Sequence, residues 1–289
     1  MRVSLFHNEK AGDNTSLGSV LELIESSGHE LVRVFDREAA IAELTESRTE
    51  LLVAAGGDGT VSAAARLLAG RTIPLTILPL GTANNIAKTL QGDASIEELV
   101  ARWDSADRRL VDLGVARGAW GERRFVEGVG MGLVPATIAS TRIEPLAGDD
   151  SASNIASALE RYLEVLARLT PRRFTLRLDG KEQTGDFLLV EVLNIRSVGP
   201  NLILNPDVDP SDGHFCVVTA GEEHRDEWGR YLQDRVEGRE NGLSLPAVPA
   251  RHIEVHGGGD VHVDDELVRS AIPGVVSISI EPEAVEFLV

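Results

Sequence analysis

A glycine-rich loop between an apolar strand and a small-residue helix is the feature that most restricts what this chain can fold into. Residues 51–55 form a continuous apolar run typical of a buried strand, and Gly56-Gly57-Asp58-Gly59-Thr60 follows at once. The glycines allow a tight turn and let backbone N–H groups approach a ligand closely. Because the helix predicted for residues 61–69 points its positive N-terminus at the same loop, the pattern predicts a phosphate-binding site.

The carboxylate inside this loop narrows the chemistry. Asp58 would repel a phosphate unless a Mg²⁺ ion or a transferable proton lies between them, so the loop favours metal-assisted phosphoryl chemistry. The alternative is a glycine-rich turn in which Asp58 caps the following helix. The chain has no G-x-x-x-x-G-K-S/T sequence and no G-x-G-x-x-G sequence after its first strand. Gly128-Val129-Gly130-Met131-Gly132 lacks that spacing, and its alternating glycines also fit close backbone packing at a strand end.

The order of predicted elements divides the chain into two parts. Strands at 3–6, 31–35, 51–55 and 74–78 alternate with helices, which predicts a parallel sheet with helices on both faces. After residue 111 strands dominate, and only two helices, near 154–169 and 223–236, interrupt them. The predicted strands of this second part are 110–116, 125–131, 174–178, 187–193, 214–219, 252–256, 261–263, 275–280 and 285–288. We therefore predict an α/β domain at residues 1–112 and a mostly antiparallel β domain at residues 113–289.

Composition excludes several classes of partner. Lysine and arginine number 28 against 46 aspartates and glutamates, a net charge of −18, and aromatic residues make up only 4%. Such a surface repels phosphate backbones and offers few platforms for base stacking, so we expect no nucleic-acid partner. Cys216 is the single cysteine, and no apolar stretch has the length of a membrane span or a signal peptide, so a cytoplasmic location is expected. The sequence leaves the oligomeric state open, a homodimer included.

Short sequences along the chain resemble, in their order and spacing, those of the diacylglycerol kinase catalytic-domain family, which includes bacterial diacylglycerol kinases and the sphingosine and ceramide kinases. Two of them are the loop at residues 56–60 and Leu78-Pro79-Leu80-Gly81-Thr82-Ala83-Asn84-Asn85. The others are Asn8-Glu9-Lys10-Ala11-Gly12, Val111-Asp112-Leu113-Gly114 and Val263-Asp264-Asp265-Glu266. An acidic loop from Pro206-Asp207 to Asp212-Gly213-His214-Phe215 is similar as well, so the resemblance spans nearly the whole chain.

The resemblance implies a fold and an activity. The family fold is a nucleotide-binding α/β domain followed by a β-sandwich domain, with the active site in the cleft between them. The implied enzyme is a phosphotransferase that uses ATP and Mg²⁺ and transfers the γ-phosphoryl group to a hydroxyl of a diacylglycerol-like or sphingoid-like lipid. Its implied partner is a lipid alcohol met in transient contact with a membrane surface, in lipid metabolism and phospholipid biosynthesis.

The resemblance also assigns roles to residues. For nucleotide binding these are Asn8, Lys10, Ala11, Gly12, Asp36, Gly57, Asp58, Gly59, Thr60 and Thr82. Asp58, Asp112 and Asp264 would surround the phosphates and Mg²⁺. Glu266 would be the base for the acceptor hydroxyl, with Asp58 as the other candidate. Asp209, Asp212 and His214 resemble a structural Mg²⁺ site in the second domain.

Each assignment has a structural alternative. Asp112 could cap a strand end, Asp209 and Asp212 could form ordinary Asx turns, and Glu266 could belong to a solvated run of charges. Asp265 stands where the family has glycine, so we expect an altered or strained backbone at this turn.

Two other functions compete with a lipid kinase. NAD kinases also use a Gly-Gly-Asp-Gly loop and two domains, but the Asn-Glu pair expected in the following helix is replaced here by Val61-Ser62-Ala63. The other alternative is a degenerate relative that only binds nucleotide or lipid. Asp58, Asp264 and Glu266 are all present, which argues against it.

Overall fold

A computed structural model describes residues 1–7, 17–35, 44, 48–146, 150–239, 241–269 and 274–289. The chain forms two compact units, one of Met1–Asp112 with Pro282–Val289 and the other of Leu113–Glu281. The second domain was predicted to span residues 113–289, whereas in the structure residues 282–289 belong to the first unit. The reason is that the final strand pairs with a strand of the first unit through Phe287 and Leu75, and that Phe287 is fully buried there.

The first unit is built on a parallel sheet. Its strands are β1 (Arg2–His7), β2 (Glu30–Phe35), β3 (Leu51–Gly56) and β4 (Leu75–Pro79), in the order β2-β1-β3-β4. The end of the last strand, β18 (Gly274–Leu288), adds to β4 in parallel. The helices are α1 (Leu17–Ser26), α2 (Asp58–Leu68), α3 (Asn85–Leu90) and α4 (Ile96–Arg102). All six residues of β3 are buried, which confirms the predicted parallel α/β arrangement, because only a strand covered on both faces has a continuous apolar sequence.

The second unit is a β-sandwich, as the family resemblance implied. One sheet has six antiparallel strands in the order β14-β13-β10-β7-β16-β17. They are β7 (Gly128–Gly132), β10 (Leu189–Leu193), β13 (Phe215–Ala220), β14 (Ala247–Ala250), β16 (Asp260–Val263) and β17 (Glu266–Arg269). The facing sheet contains β8 (Arg172–Leu178), β9 (Lys181–Phe187), β15 (His252–Gly257) and the start of β18, with the hairpin of β5 (Arg108–Gly118) and β6 (Gly121–Phe125). Two short strands, β11 (Ser197–Val198) and β12 (Leu202–Ile203), pair separately.

Helices cover the outer face of the six-stranded sheet. They are α5 (Leu133–Ile143), α6 (Ser151–Arg168) and α7 (Arg225–Val236), the last preceded by a 3₁₀ turn at Glu222–His224. Along β10, Val190 and Val192 face the sandwich core, whereas Leu189 and Leu193 face these helices. No helix in the described part of the chain is both long and apolar enough to cross a lipid bilayer.

The elements that differ from the sequence prediction include a broken strand, a merged strand and an added helix. The single strand predicted at 125–131 is broken between β6 and β7, because the backbone N–H groups of Val126 and Glu127 donate to the side chain of Asp264, in the turn between β16 and β17. The strands predicted at 275–280 and 285–288 form one strand, β18. Helix α5 was not predicted, since it contains Pro135 and several β-branched residues; the proline lies in the first turn, where its missing N–H costs no helical hydrogen bond.

Candidate active site

Two loops of the first unit touch through their backbones at the carboxyl ends of β3 and β4. The N–H of Leu80 donates a hydrogen bond to the carbonyl of Gly56 at 3.1 Å. A Cβ atom added to Gly57 would lie 3.1 Å from the Cα of Gly81, and one added to Gly81 would overlap Gly57. Glycine is therefore required at position 81 by the close approach of the loops, and the backbone stays open to a ligand.

Asp58 lies at the meeting point of these loops. It is the first residue of α2, and its Oδ1 accepts a hydrogen bond from the N–H of Ile86 at 2.9 Å, in the first turn of α3. The residue before α2, Gly57, makes no side-chain cap. Asp58 is thus the first residue of α2 rather than its N-cap, and its carboxylate satisfies the backbone at the start of the neighbouring helix. This hydrogen bond ties the half-buried carboxylate to the first turn of α3.

Asn84 closes the second loop and was missed by the sequence analysis. Its backbone is left-handed, with a φ of 54°, and its side chain both accepts from the N–H of Gly81 at 2.9 Å and donates to the carbonyl of Gly81 at 2.7 Å. Asparagine tolerates this conformation better than most residues, so the Asn84-Asn85 pair after Gly81-Thr82 was an available signal. Thr82 lies exposed at the tip of the loop, whereas the Thr60 side chain is buried against Gly56.

Five residues predicted to bind nucleotide lie outside the described residues and remain predictions. They are Asn8, Lys10, Ala11, Gly12 and Asp36.

Asp112 is buried within β5 rather than at the end of that strand. Its Oδ1 accepts a hydrogen bond from the N–H of Glu283 at 2.7 Å, where Glu283 has a φ of 51°. The carboxylate therefore stabilises the left-handed backbone of Glu283, which lies where residues 282–289 of β18 join the first unit.

In the second unit, Asp264 is held by backbone groups on several sides. Its Oδ1 accepts from the N–H of Val126 at 3.1 Å and of Glu127 at 2.8 Å, and its own N–H donates to the carbonyl of Gly128 at 2.9 Å. Asp264 is buried and has a φ of 52°, whereas Asp265 is not among the residues with positive φ. The altered backbone expected at this turn is therefore present, and it falls on Asp264, one residue before the position at which the family has glycine.

Glu266 begins β17, two residues further along the chain. Its side chain is 53% exposed and forms an ion pair with Arg123 of β6. The exposure limits what the pair contributes to stability, because water screens it. The carboxylate is thereby accessible to a reactant, as a base for a hydroxyl must be.

The loop predicted to bind a structural Mg²⁺ ion is organised by its own backbone. Asp209 accepts from the N–H of Ser211 and Asp212 from the N–H of His214, both at 2.8 Å, which are the Asx turns of the structural alternative. The Nδ1 of His214 lies 3.0 Å from the carbonyl of Asp212, and its Nε2 accepts from Arg251 at 3.1 Å. Across the ranges that the structure describes, no group of three or more His, Cys, Asp or Glu residues forms a metal site. The Mg²⁺ site at Asp209, Asp212 and His214 stays a prediction.

Two family profiles and a relative match the sequence of this chain. Residues 2–116 match the sequence profile described as the diacylglycerol kinase catalytic domain, and residues 151–289 match the YegS C-terminal NAD kinase beta sandwich-like domain. A diacylglycerol kinase from Mycobacterium tuberculosis strain H37Rv is 28% identical over 284 residues, which cover 93% of this chain and 84% of that protein.

Solved structures share the fold at lower identity. A crystal structure described as a diacylglycerol kinase from Bacillus anthracis strain Sterne superposes with a TM-score of 0.70 at 20% identity, covering 99% of this chain and 96% of that one. An NAD kinase from Archaeoglobus fulgidus in complex with ATP gives a TM-score of 0.55 at 14% identity, covering 100% and 94%. At these identities the likeness establishes the fold alone.

Proposed function

Because this chain belongs to the diacylglycerol kinase catalytic-domain family, whose members are phosphotransferases that act on an alcohol group, we propose that it is an ATP- and Mg²⁺-dependent lipid kinase. It would transfer the γ-phosphoryl group to a hydroxyl of a diacylglycerol-like or sphingoid-like lipid. The observation that carries the proposal is the placement of Asp58, a carboxylate at the N-terminus of α2 that is tied to the first turn of α3.

The loops of the first unit suit a polyphosphate. At Gly57 and Gly81 no side chain separates the loops, so backbone groups and the positive end of α2 are available to phosphate oxygens. Asp58 supplies an oxygen ligand of the kind that Mg²⁺ prefers. A bound Mg²⁺ ion would offset the negative charge on the phosphates during transfer. Thr82, exposed at the loop tip, is proposed to contact the nucleotide.

The turn of the second unit suits proton transfer. Asp264 accepts hydrogen bonds from two backbone N–H groups and serves to orient the turn, whereas Glu266 keeps an accessible carboxylate. We assign Glu266 as the base that accepts the proton of the lipid hydroxyl, a role worth about 10²–10⁴-fold in rate.

The acceptor is tested with γ-labelled ATP and Mg²⁺ against dioleoylglycerol, sphingosine and ceramide in detergent micelles, with NAD as a soluble competitor. We expect label in the lipid phase, loss of transfer with EDTA and recovery with added Mg²⁺. Label in NAD alone would show that the protein is an NAD kinase and would overturn the proposal. No label in any acceptor, with ATP still bound, would identify a non-catalytic relative.

Asp58→Asn tests the role of the carboxylate. Because asparagine keeps an oxygen that can accept from the N–H of Ile86 but removes the charge, we expect at least about a 100-fold loss of kcat with an unchanged melting temperature. Asp58→Ala should lose activity and, in addition, about 1 kcal/mol of stability, because the start of α3 loses its acceptor. Asp104→Asn, an exposed acidic residue of the same unit, is the matched control and should retain full activity.

The setting of the reaction is proposed on the same basis. A phosphorylated lipid would enter phospholipid biosynthesis, and the enzyme would work in the cytoplasm through transient contact with a membrane surface. For such contact we propose two arginines of β6, Arg123 and Arg124. They form ion pairs with Glu266 and Glu281, respectively. Vesicle co-sedimentation with neutral and anionic lipids would show whether these ion pairs give way to a lipid surface.

A further inference from the structure

A buried ion pair crosses a strand of the six-stranded sheet in the second unit. Glu191 in β10 and His262 in β16 are both almost completely buried, and both oxygens of Glu191 lie near the Nε2 of His262, at 2.9 and 3.1 Å. The strand between them is β7, in which Gly130 is in register with both residues. A Cβ atom on Gly130 would overlap the Glu191 carboxylate, so the glycine provides the space in which the two side chains meet.

The pair is connected to the turn that carries Asp264 and Glu266. The Nδ1 of His262 lies 2.7 Å from the backbone carbonyl of Asp264. Since a carbonyl oxygen can only accept, this ring nitrogen carries a proton and donates it to the carbonyl. Burial disfavours a charged ring, but the charge of Glu191 and the hydrogen bonds outweigh it and raise the pKa of His262.

A buried ion pair is weak evidence of stabilisation, because apolar residues of similar size would often serve as well. Its position is more informative. Asp264 has a left-handed backbone, and its side chain is fixed on one side by the N–H groups of Val126 and Glu127. The His262 ring fixes the backbone carbonyl of the same residue, so the turn is held through two separate groups of Asp264.

We propose that His262, whose ring contacts Glu191, is a positioning residue for phosphoryl transfer, which acts by holding the turn of residues 264–266 through the Asp264 carbonyl. The inference rests on the proposed function, because it gives His262 a role in placing the Glu266 base. A misplacement of a reacting group by about 1 Å can cost about 100-fold in rate. The proposal also gives a role to Gly130, which belongs to none of the motifs assigned to phosphate binding.

Two amide substitutions separate the two contacts of the ring. In His262→Gln the amide nitrogen reaches the position of Nε2, which keeps the contact with Glu191 but loses the bond to the Asp264 carbonyl. In His262→Asn it takes the position of Nδ1 and keeps the bond to the carbonyl. We expect Gln to lower kcat by about 10- to 100-fold with the KM for ATP changed by less than about threefold, and Asn to keep kcat within about threefold.

The matched control is Val218→Ala, which removes apolar volume beside Glu191 on the side away from the turn. It should lower the melting temperature and leave kcat unchanged. Glu191→Gln/His262→Asn removes both charges and keeps the donor to the Asp264 carbonyl. The kcat of this double variant should also stay within about threefold of the wild type. If His262→Asn is too unstable to purify, the double variant replaces it in the comparison with His262→Gln.

Hydrogen exchange tests the positioning independently of activity. Peptides that contain residues 126–128 and 264–267 should exchange faster in His262→Gln than in the wild type, but not in His262→Asn or Val218→Ala. If the wild-type protein phosphorylates no acceptor, the proposed function is wrong. The exchange data would still decide whether His262 orders the turn. Unchanged exchange in His262→Gln, or a kcat equal to that of the wild type, would overturn the inference.

Discussion

Several aspartates of this protein accept hydrogen bonds from backbone N–H groups. Asp58 accepts from Ile86, Asp112 from Glu283, and Asp264 from Val126 and Glu127. The short side chain of aspartate keeps the carboxylate close to the main chain, where it can satisfy donors at turns and helix starts. A fraction of the acidic excess therefore has a structural purpose that a charge count does not reveal.

Asp179 is such a residue on the surface of the second unit. It has a φ of 47°, and its carboxylate accepts from the N–H of His252 at 2.9 Å and of Arg251 at 3.2 Å. The hydrogen bond from His252, followed by that from Arg251, lowers the pKa of Asp179 below its ordinary value. A lowered folded-state pKa means that the carboxylate stabilises the fold above its unfolded pKa, and that this stability is lost as the pH falls through the folded pKa.

We predict that Asp179→Ala lowers stability at pH 7 by about 1 kcal/mol, because two backbone donors lose an exposed, charged acceptor. The difference from the wild type should shrink as the pH falls below about 4, where the unfolded chain begins to take up the proton, and should vanish once the pH has fallen through the lower folded pKa of Asp179. Thermal unfolding from pH 3 to pH 7 measures it. Asp179→Asn is the control: its difference from the wild type should vanish with falling pH, whereas a pH-independent deficit in Asp179→Ala would contradict the account.

At the scale of elements, β7 shows how one strand decides what its neighbours can hold. Val129 and Met131 point into the sandwich core, so Gly128, Gly130 and Gly132 lie on the opposite face. The alternating glycines therefore line the helix-facing side of the sheet, and at Gly130 they leave room for the Glu191 and His262 side chains. The alternating glycines of this segment thus serve close packing, which was one interpretation of the pattern in the sequence.

Gly130→Ala should break the contact between Glu191 and His262, since the new methyl group overlaps the carboxylate. We expect the free energy of unfolding to fall by about 3–5 kcal/mol, as when one partner of a buried ion pair is removed. Urea unfolding followed by tryptophan fluorescence measures the change. Gly229→Ala is the matched control, because its Cβ meets nothing within 4 Å in α7 and should raise stability by up to about 1 kcal/mol.

At the scale of the whole molecule, the first unit takes its strands from both ends of the sequence. The carbonyl of Leu288 accepts from the hydroxyl of Thr76 at 3.2 Å, the N–H of Gly70 donates to Ala284 at 2.8 Å, and the N–H of Val289 donates to Asp107 at 2.9 Å. Together with the buried Phe287, these contacts make residues 282–289 part of that unit.

We predict that residues 1–112 joined by a short glycine linker to residues 282–289 unfold cooperatively and are more stable than residues 1–112 alone. The linker can be short because the carboxylate of Asp112 lies 2.7 Å from the N–H of Glu283. Burial of Phe287 alone should contribute about 3–5 kcal/mol. Scanning calorimetry of the two proteins tests this, and equal melting temperatures would show that the final strand is dispensable.

Local features were predictable because they depend on neighbours in the chain. The buried β3, the glycine-rich loop and the succeeding helix were predicted from the apolar run at 51–55 and the residues that follow. The change from parallel α/β to antiparallel β structure near residue 112 was predictable for the same reason, since hydrophobic periodicity and loop length report on local structure. The order of the family motifs then indicated the chemistry of the site.

Partners far apart in the chain were decided only by the tertiary structure. The contact of Asp58 with Ile86, the meeting of Glu191 and His262 over Gly130, and the return of Phe287 to the first unit depend on strand register and packing. The altered backbone expected at the turn of residues 263–266 lies on Asp264, a position that the sequence did not indicate, because hydrogen bonds to residues 126–128 hold that residue. The sequence by itself determined which residues can form strands, loops and a glycine-rich turn, whereas the fold determined which carboxylates stay exposed and which hold the backbone in place. The physical reason is that local preference is fixed by adjacent residues, while hydrogen-bond partners are fixed by three-dimensional register.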